Sequence, residues 1–188
     1  MNGKPPLLQR IVRGGSDYPS ILASRLGDDA PAELIALGNA AFLSTHRTAL
    51  FCSASAPGDA ILRAHDAAQV MRDEGVTVIS GFHSPIEKEC LQILLRGKQP
   101  IIICPARAIE GMRIPTGCRA AFDAGRLLFL SPFIKEPKRV TKDSALRRNE
   151  LVASLADEAY IPYFSSGGQT ARTAEMLAEW KVPFIAAA

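Results

Sequence analysis

The stretch "VTVISGFHSPIEKECLQILLRGKQPIIIC", residues 76–104, decides the fold. Its two ends, "VTVIS" (76–80) and "PIIIC" (100–104), are short runs that are apolar on both faces, the pattern of central parallel strands. Between them Ile86, Cys90, Ile93 and Leu94 recur at intervals of three and four, with Pro85 at the start and Gly97 at the stop. That spacing predicts a helix with one buried face. Strand, helix and strand in this order make a crossover unit of an open parallel sheet.

The same alternation extends in both directions. "TALFCS" (48–53), "LLFLS" (127–131), "AYIPYF" (159–164) and "PFIAA" (183–187) are further strands of the both-faces-buried kind. A helix with Ile61, Ala64, Ala68 and Met71 on one face precedes residue 76, and "RNELVASLA" and "TARTAEMLAEW" supply two more. The expected fold class is α/β: a Rossmann-like, open, mostly parallel sheet with helices on both faces, in a single domain. Residues 1–47 are rich in Pro, Gly and Ala and read as a lead segment packing on the core, with one short helix near 19–26. Residues 48–188 form the Rossmann-like domain.

At 188 residues, 47% hydrophobic and 22% charged, the chain has the composition of a soluble globular domain. Cys52, Cys90, Cys104 and Cys118 form no C-x-x-C pair and read as small buried hydrophobes of a reducing compartment. No run approaches a membrane-spanning length and no signal-peptide pattern opens the sequence, so the expected location is cytoplasmic, with no membrane partner. The net charge of +3 is modest, but residues 135–148 hold six Lys/Arg against Glu136 and Asp143. That local excess fits an anionic partner.

Ligands of such sheets bind beyond the carboxyl ends of the strands. Three strands here end in small polar residues: "SASAPG" (53–58), "SGFHSP" (80–85) and "SSGGQT" (165–170). Ser and Gly at these junctions serve as caps and turns, or as amide cradles for phosphate; three at one sheet edge favour a shared anion crevice. The phosphate-binding candidates are Ser53, Ser55, Ser80, Gly81, His83, Ser166, Gly167, Gly168 and Thr170 from the junctions. Lys138, Arg139, Lys142, Arg147, Arg148 and Asn149 join them from the basic stretch. With a helix beginning near residue 148, Arg147 and Arg148 sit at its amino end, where the dipole disfavours a cation by roughly 0.3–1 kcal/mol. A bound phosphate removes that conflict.

Neither G-x-G-x-x-G nor G-x-x-x-x-G-K-[ST] occurs, so dinucleotide and triphosphate sites are not indicated. His46, His65 and His83 are scattered and form no metal pair. Ser53, Ser80 and Ser166 lack an identifiable base and no G-x-S-x-G elbow exists. The expectation is a binding protein and not an enzyme, with no cofactor and no metal. Tyr163 and Phe82, near strand ends, are the residues best placed to touch a base, with a place in the core as the plainer alternative.

These motifs together resemble the DNA processing protein A family (DprA, or Smf). "YPSILASRLGDDAPAELIALGN" resembles its lead segment. "GVTVISGFHSPIE" aligns without a gap to G-V-x-V-V-S-G-x-A-R-G-I-D. "LRRNELVASLAD" resembles R-R-N-R-I-I-A-x-L-S, and "SSGGQTARTA" resembles S-G-x-L-x-T-A. The resemblance implies a Rossmann-like fold, single-stranded DNA binding, a homodimer, and loading of a RecA-type recombinase in DNA uptake and recombination. It also implies a stand-alone core without the family's winged-helix extension. By position it assigns phosphate contacts to Ser53, Ser80, Gly81, Arg148, Asn149, Ser166, Gly167 and Thr170.

The departures are specific. Cys52, Ser53 and Ala54 stand where the family has Gly-Ser-Arg, and Ser84 replaces the Arg of S-G-x-A-R-G-I-D. Pro85 and Glu87 replace its Gly and Asp, Leu91 an expected His, and Glu150 the last Arg of R-R-N-R. Each lost phosphate contact flattens the salt dependence of single-strand binding by about 0.7 log units per decade. The lost cations keep open an alternative, a nucleotide ligand in the same crevice. Phosphoribohydrolases of related fold use P-G-G-x-G-T-x-x-E there, of which "SSGGQTARTAE" retains two glycines and Glu175.

Overall fold

The middle of the sheet is built from short runs whose residues are buried above and below. In the computed structural model, which describes residues 8–186, these are β3 (Arg47–Leu50), β4 (Thr77–Ser80), β5 (Ile101–Ile103) and β6 (Leu127–Ser131). The parallel register sets Ala49 beside Ile79, Ile79 beside Ile102, and Ile102 beside Leu128. This row points to one face of the sheet, and Leu50, Val78, Ile101 and Leu127 point to the other. Truncating an Ile or Leu of either row, such as Ile79, Ile102 or Leu128, to Ala costs about 2–5 kcal/mol, because a cavity adds to the lost burial.

The strand order is β1-β2-β6-β5-β4-β3-β7-β8, with β1 at Leu8–Val12, β2 at Glu33–Gly38, β7 at Glu158–Ile161 and β8 at Phe184–Ala186. From β3 to β6 the chain steps along the sheet in one direction. It crosses through α2 (Gly58–Asp73), α3 (Pro85–Leu95) and the short α4 (Arg119–Asp123), all packed on one face. It then returns to the far side of β3, and α5 (Lys142–Leu155) and α6 (Gln169–Glu179) pack on the opposite face with α1 (Ser20–Leu26). Right-handed crossovers require this change of face when the direction reverses. The reversal lies between β3 and β7, which pair directly.

Two strands lie in a region from which only a helix was expected. β1 (Leu8–Val12) and β2 (Glu33–Gly38) run antiparallel and join the sheet through β2 beside β6. Part of the lead is therefore sheet, and Leu34, Ile35 and Ala36 are core residues. Residues 1–7 of the lead and the last residue of "PFIAA" lie outside the described residues. The four cysteines are free and buried, as small hydrophobes are. Among the described residues no helix is long and apolar enough to cross a membrane.

Candidate nucleic-acid interface

β3 and β7 end earlier than their apolar runs. The sheet releases the chain after Leu50 and Ile161, and the remaining residues, 51–55 and 162–168, continue past the rim. The two exits are tied together: the Ser53 amide donates to the Tyr163 carbonyl (3.1 Å) and the Ser165 amide to Ser53 Oγ (3.3 Å). Gly167, at φ +70°, supplies the left-handed residue that turns the chain into α6. Between these exits and the heads of α3 and α6 opens a cleft of about 340 Å³. It occupies the switch in strand order, where sheets of this type hold their ligands.

Arg148 reaches into this cleft from α5. Its side chain lies against Gly81 at the end of β4, and a Cβ on Gly81 would collide with the guanidinium. Arg148 is only 5% exposed. Its hydrogen bond among the described residues runs from Nε to Asn149 Oδ1, 2.7 Å, and no salt bridge joins it to a carboxylate there. Burial pushes the guanidinium below its ordinary value, against the pull of Glu87 and Cys104. An arginine does not deprotonate in such a place, so the cleft holds a fixed positive charge that water solvates poorly.

The head of α6 faces the same space. Gly168, Gln169 and Thr170 line the cleft, and no side chain caps this helix. The first amides of a helix have no partner within it, and they carry the positive end of its dipole. The head of α3 differs: Ser84 and Glu87 cap it reciprocally, and Glu87 also accepts the amides of Cys52 and His83. An uncapped helix head and an unpaired buried arginine, converging on one cleft, form a seat for an anion.

Of the residues expected from sequence, Ser53, Ser55, His83, Arg148, Asn149, Gly168 and Thr170 line the cleft together. Ser80 is fully buried behind it, where its Oγ accepts the Phe82 amide (3.1 Å). Gly81 backs Arg148, and Ser166 and Gly167 lie in the exposed turn before α6. Phe82 and Tyr163 pack with the hydrophobic core under α2 and α3 and do not line the cleft. Glu175, needed for the phosphoribohydrolase pattern, is exposed on α6 and also lies outside it. Unforeseen cleft residues are Phe51, Cys52, Ala54, Ser84, Ser165, Gln169 and above all Glu87. The S-x-x-E spacing of Ser84 and Glu87 was the signal for the last.

The pairing of Arg147 with Arg148 needs correction. Both were expected at the amino end of a helix, facing one anion. α5 instead begins at Lys142 behind a reciprocal cap between Thr141 and Ser144, so both arginines lie in its second turn, beyond the strongest dipole field. There they diverge. Arg147 is exposed, pairs with Asp143 at 3.4 Å, and borders a separate groove with Asp143, Leu146 and Glu150. Glu150 therefore puts no negative charge into the cleft. Lys138 borders a third cleft with Arg107 and Lys135, between the loops after β5 and β6, while Arg139 and Lys142 are exposed and line none of the three.

A sequence model of the family described as DNA recombination-mediator protein A matches residues 9–184. The fold is that of DNA processing protein A from Streptococcus pneumoniae, with a TM-score of 0.78 at 18% identity. That match covers 95% of this chain and 62% of the pneumococcal one. The Helicobacter pylori protein, solved for its single-stranded DNA binding mode, gives a TM-score of 0.74 at 19% identity, over 95% and 80% of the two chains. Comparison with curated protein sequences finds no match.

Proposed function

The chain belongs to the DNA recombination-mediator protein A family, and from that premise we propose that it binds single-stranded DNA by its phosphates in the cleft between β3 and β7. The observation that carries this reading is Arg148: a buried cation without a carboxylate partner among the described residues, facing the open head of α6. A phosphate placed there neutralises the guanidinium and accepts the free amides of α6. Such contacts read no base, so affinity is expected to be largely independent of sequence. The role is binding and not catalysis. The Cys52 thiol is pushed up to about 11, first by burial and then by Glu87, and Ser53 Oγ is engaged as an acceptor.

Lys138, Arg139 and Lys142, on the loop after β6 and at the start of α5, complete the reading as outer contacts along the strand's path. Homodimer formation and loading of a RecA-type recombinase belong to the same proposal, as the family resemblance implies. Light scattering tests the first, and recombinase filament assembly on protein-coated DNA tests the second.

The cleft itself is tested with a labelled oligonucleotide across a salt series. Arg148→Ala is expected to weaken binding at least tenfold and to flatten the salt slope by about 0.7. Arg147→Ala should leave both nearly unchanged. Failure of the wild-type chain to bind at low salt would overturn the proposal. A second reading, a single nucleotide, is favoured by Arg148 being the one Arg or Lys among the residues that line the cleft. It predicts thermal stabilisation by millimolar nucleotide, about 2.7 kcal/mol at 100 times the Kd.

A further inference from the structure

Glu87 occupies a place that an anionic ligand would otherwise fill. Its Oε1 accepts the Cys52 amide at 3.0 Å, and its Oε2 accepts the amides of His83 at 2.7 Å and Ser84 at 3.2 Å. These three donors come from two different exits, the one after β3 and the turn between β4 and α3. Converging backbone amides at a helix head are a phosphate seat in their own right. Here the seat is built at a cost. Phe82 is a buried non-glycine residue at φ +45°, and such a backbone persists only where its surroundings hold it. The result is a carboxylate only 8% exposed, lining the same cleft as Arg148 and the head of α6.

We infer that Glu87 is a built-in anion that fills one of two anion seats in the cleft, so that the site takes one phosphate group at a time and turns away a pyrophosphate. The inference rests on the cleft being a phosphate site, as proposed above. The remaining seat consists of Arg148 and the open head of α6. A phosphodiester or a monophosphate satisfies it with one group. A second phosphate bonded directly to the first would be held close to the Glu87 carboxylate, in a space where water screens the repulsion poorly. It would also find the amides of Cys52, His83 and Ser84 already taken. Di- and triphosphates are thereby disfavoured, whereas the phosphates of a DNA strand, each separated from the next by a sugar, are admitted.

The test compares inorganic phosphate with pyrophosphate, and dAMP with dADP, by calorimetry on the full chain. Wild type, Glu87→Gln, Glu87→Ala and Arg148→Ala are measured. Wild type is expected to bind each monophosphate at least as tightly as its pyrophosphate counterpart. Glu87→Ala frees the three amides and should shift the preference toward pyrophosphate tenfold or more. Glu87→Gln keeps the shape without the charge and should shift it in the same direction by a smaller factor; if the Ala variant does not fold, this one decides. An unchanged ratio in a folded variant, with binding still lost in Arg148→Ala, overturns the role of Glu87 and leaves the phosphate site standing. A wild-type preference for pyrophosphate overturns it equally. Absence of any anion binding by the folded wild-type chain removes the site and this inference together.

Discussion

Gly81 presents a bare α-carbon to the guanidinium of Arg148, and no side chain fits between them. The glycine directly follows β4 and the arginine comes from α5, so a strand and a helix more than sixty residues apart in sequence meet at the one Arg or Lys lining the cleft. Gly81→Ala would force the guanidinium off its seat. The expected result is a loss of oligonucleotide affinity of about tenfold, equal to ~1.4 kcal/mol, and a destabilisation of about 1–3 kcal/mol from overpacking. Anisotropy titration and urea melts measure the two. Affinity unchanged in a folded Gly81→Ala chain would separate Arg148 from the ligand.

Arg148 should be a liability to the empty protein. A buried cation that no carboxylate pairs among the described residues costs desolvation, which the pull of Glu87 only partly offsets, so an apolar residue of similar volume removes that cost. Arg148→Met is therefore predicted to raise or preserve the melting temperature while DNA affinity falls at least tenfold. A marked drop in melting temperature would mean that Arg148 serves the core.

Much of this was legible in the sequence. Val78 and Ile79, like Ile101 to Ile103, put apolar side chains on both faces, and such runs specify inner strands before any partner is known. β2 was not legible as a strand. Its apolar run "LIAL" is short, sits between Pro31 and Gly38, and owes its pairing to β6, some ninety residues away. The start of α5 was missed because Thr141 is capped reciprocally by Ser144, where the usual signature has Glu or Gln. That one displacement decided the arginines. With the helix begun at Lys142, Asp143, Arg147 and Glu150 share a face bordering the outer groove, and Arg148 and Asn149 face the cleft. Three of the small-residue junctions were read alike, yet only the third leaves its helix head open toward the cleft. At the second, Glu87 takes the amides.

Ser84 tests that distinction from the other side. Its Oγ accepts the Glu87 amide at 3.2 Å as the N-cap of α3. Ser84→Ala removes the cap and is predicted to cost about 1 kcal/mol. Because the Glu87 carboxylate retains the amides of Cys52 and His83, DNA affinity should change less than threefold. Loss of affinity on the scale of Arg148→Ala would show that the Ser84 hydroxyl itself contacts the ligand.

The opposite rim of the sheet carries an acid-sensitive tie. Arg47, buried at the start of β3, donates through Nε to Asp157 Oδ2 at 3.1 Å, and its own amide donates to the same oxygen at 2.8 Å. Burial pushes the Asp157 carboxyl up, but these bonds outweigh it and hold the group below the ordinary carboxylate range. A carboxyl depressed in the folded state stabilises the protein above its unfolded value, near 3.9, and that contribution is lost as pH falls through the folded value. The contribution of this pair should therefore be full and independent of pH around pH 7, and fall away below about pH 4. Asp157→Asn keeps an acceptor but removes the charge. Near neutrality it should cost about 1–3 kcal/mol, less than the ~3–5 of a wholly buried pair because Asp157 is about one-third exposed. Toward pH 3 the gap between variant and wild type should close. Urea melts of both chains at pH 7, 5 and 3 measure this gap. A gap that stays constant across the series would show that the carboxylate charge of Asp157 does not hold Arg47, and that the tie rests on shape and hydrogen bonding alone.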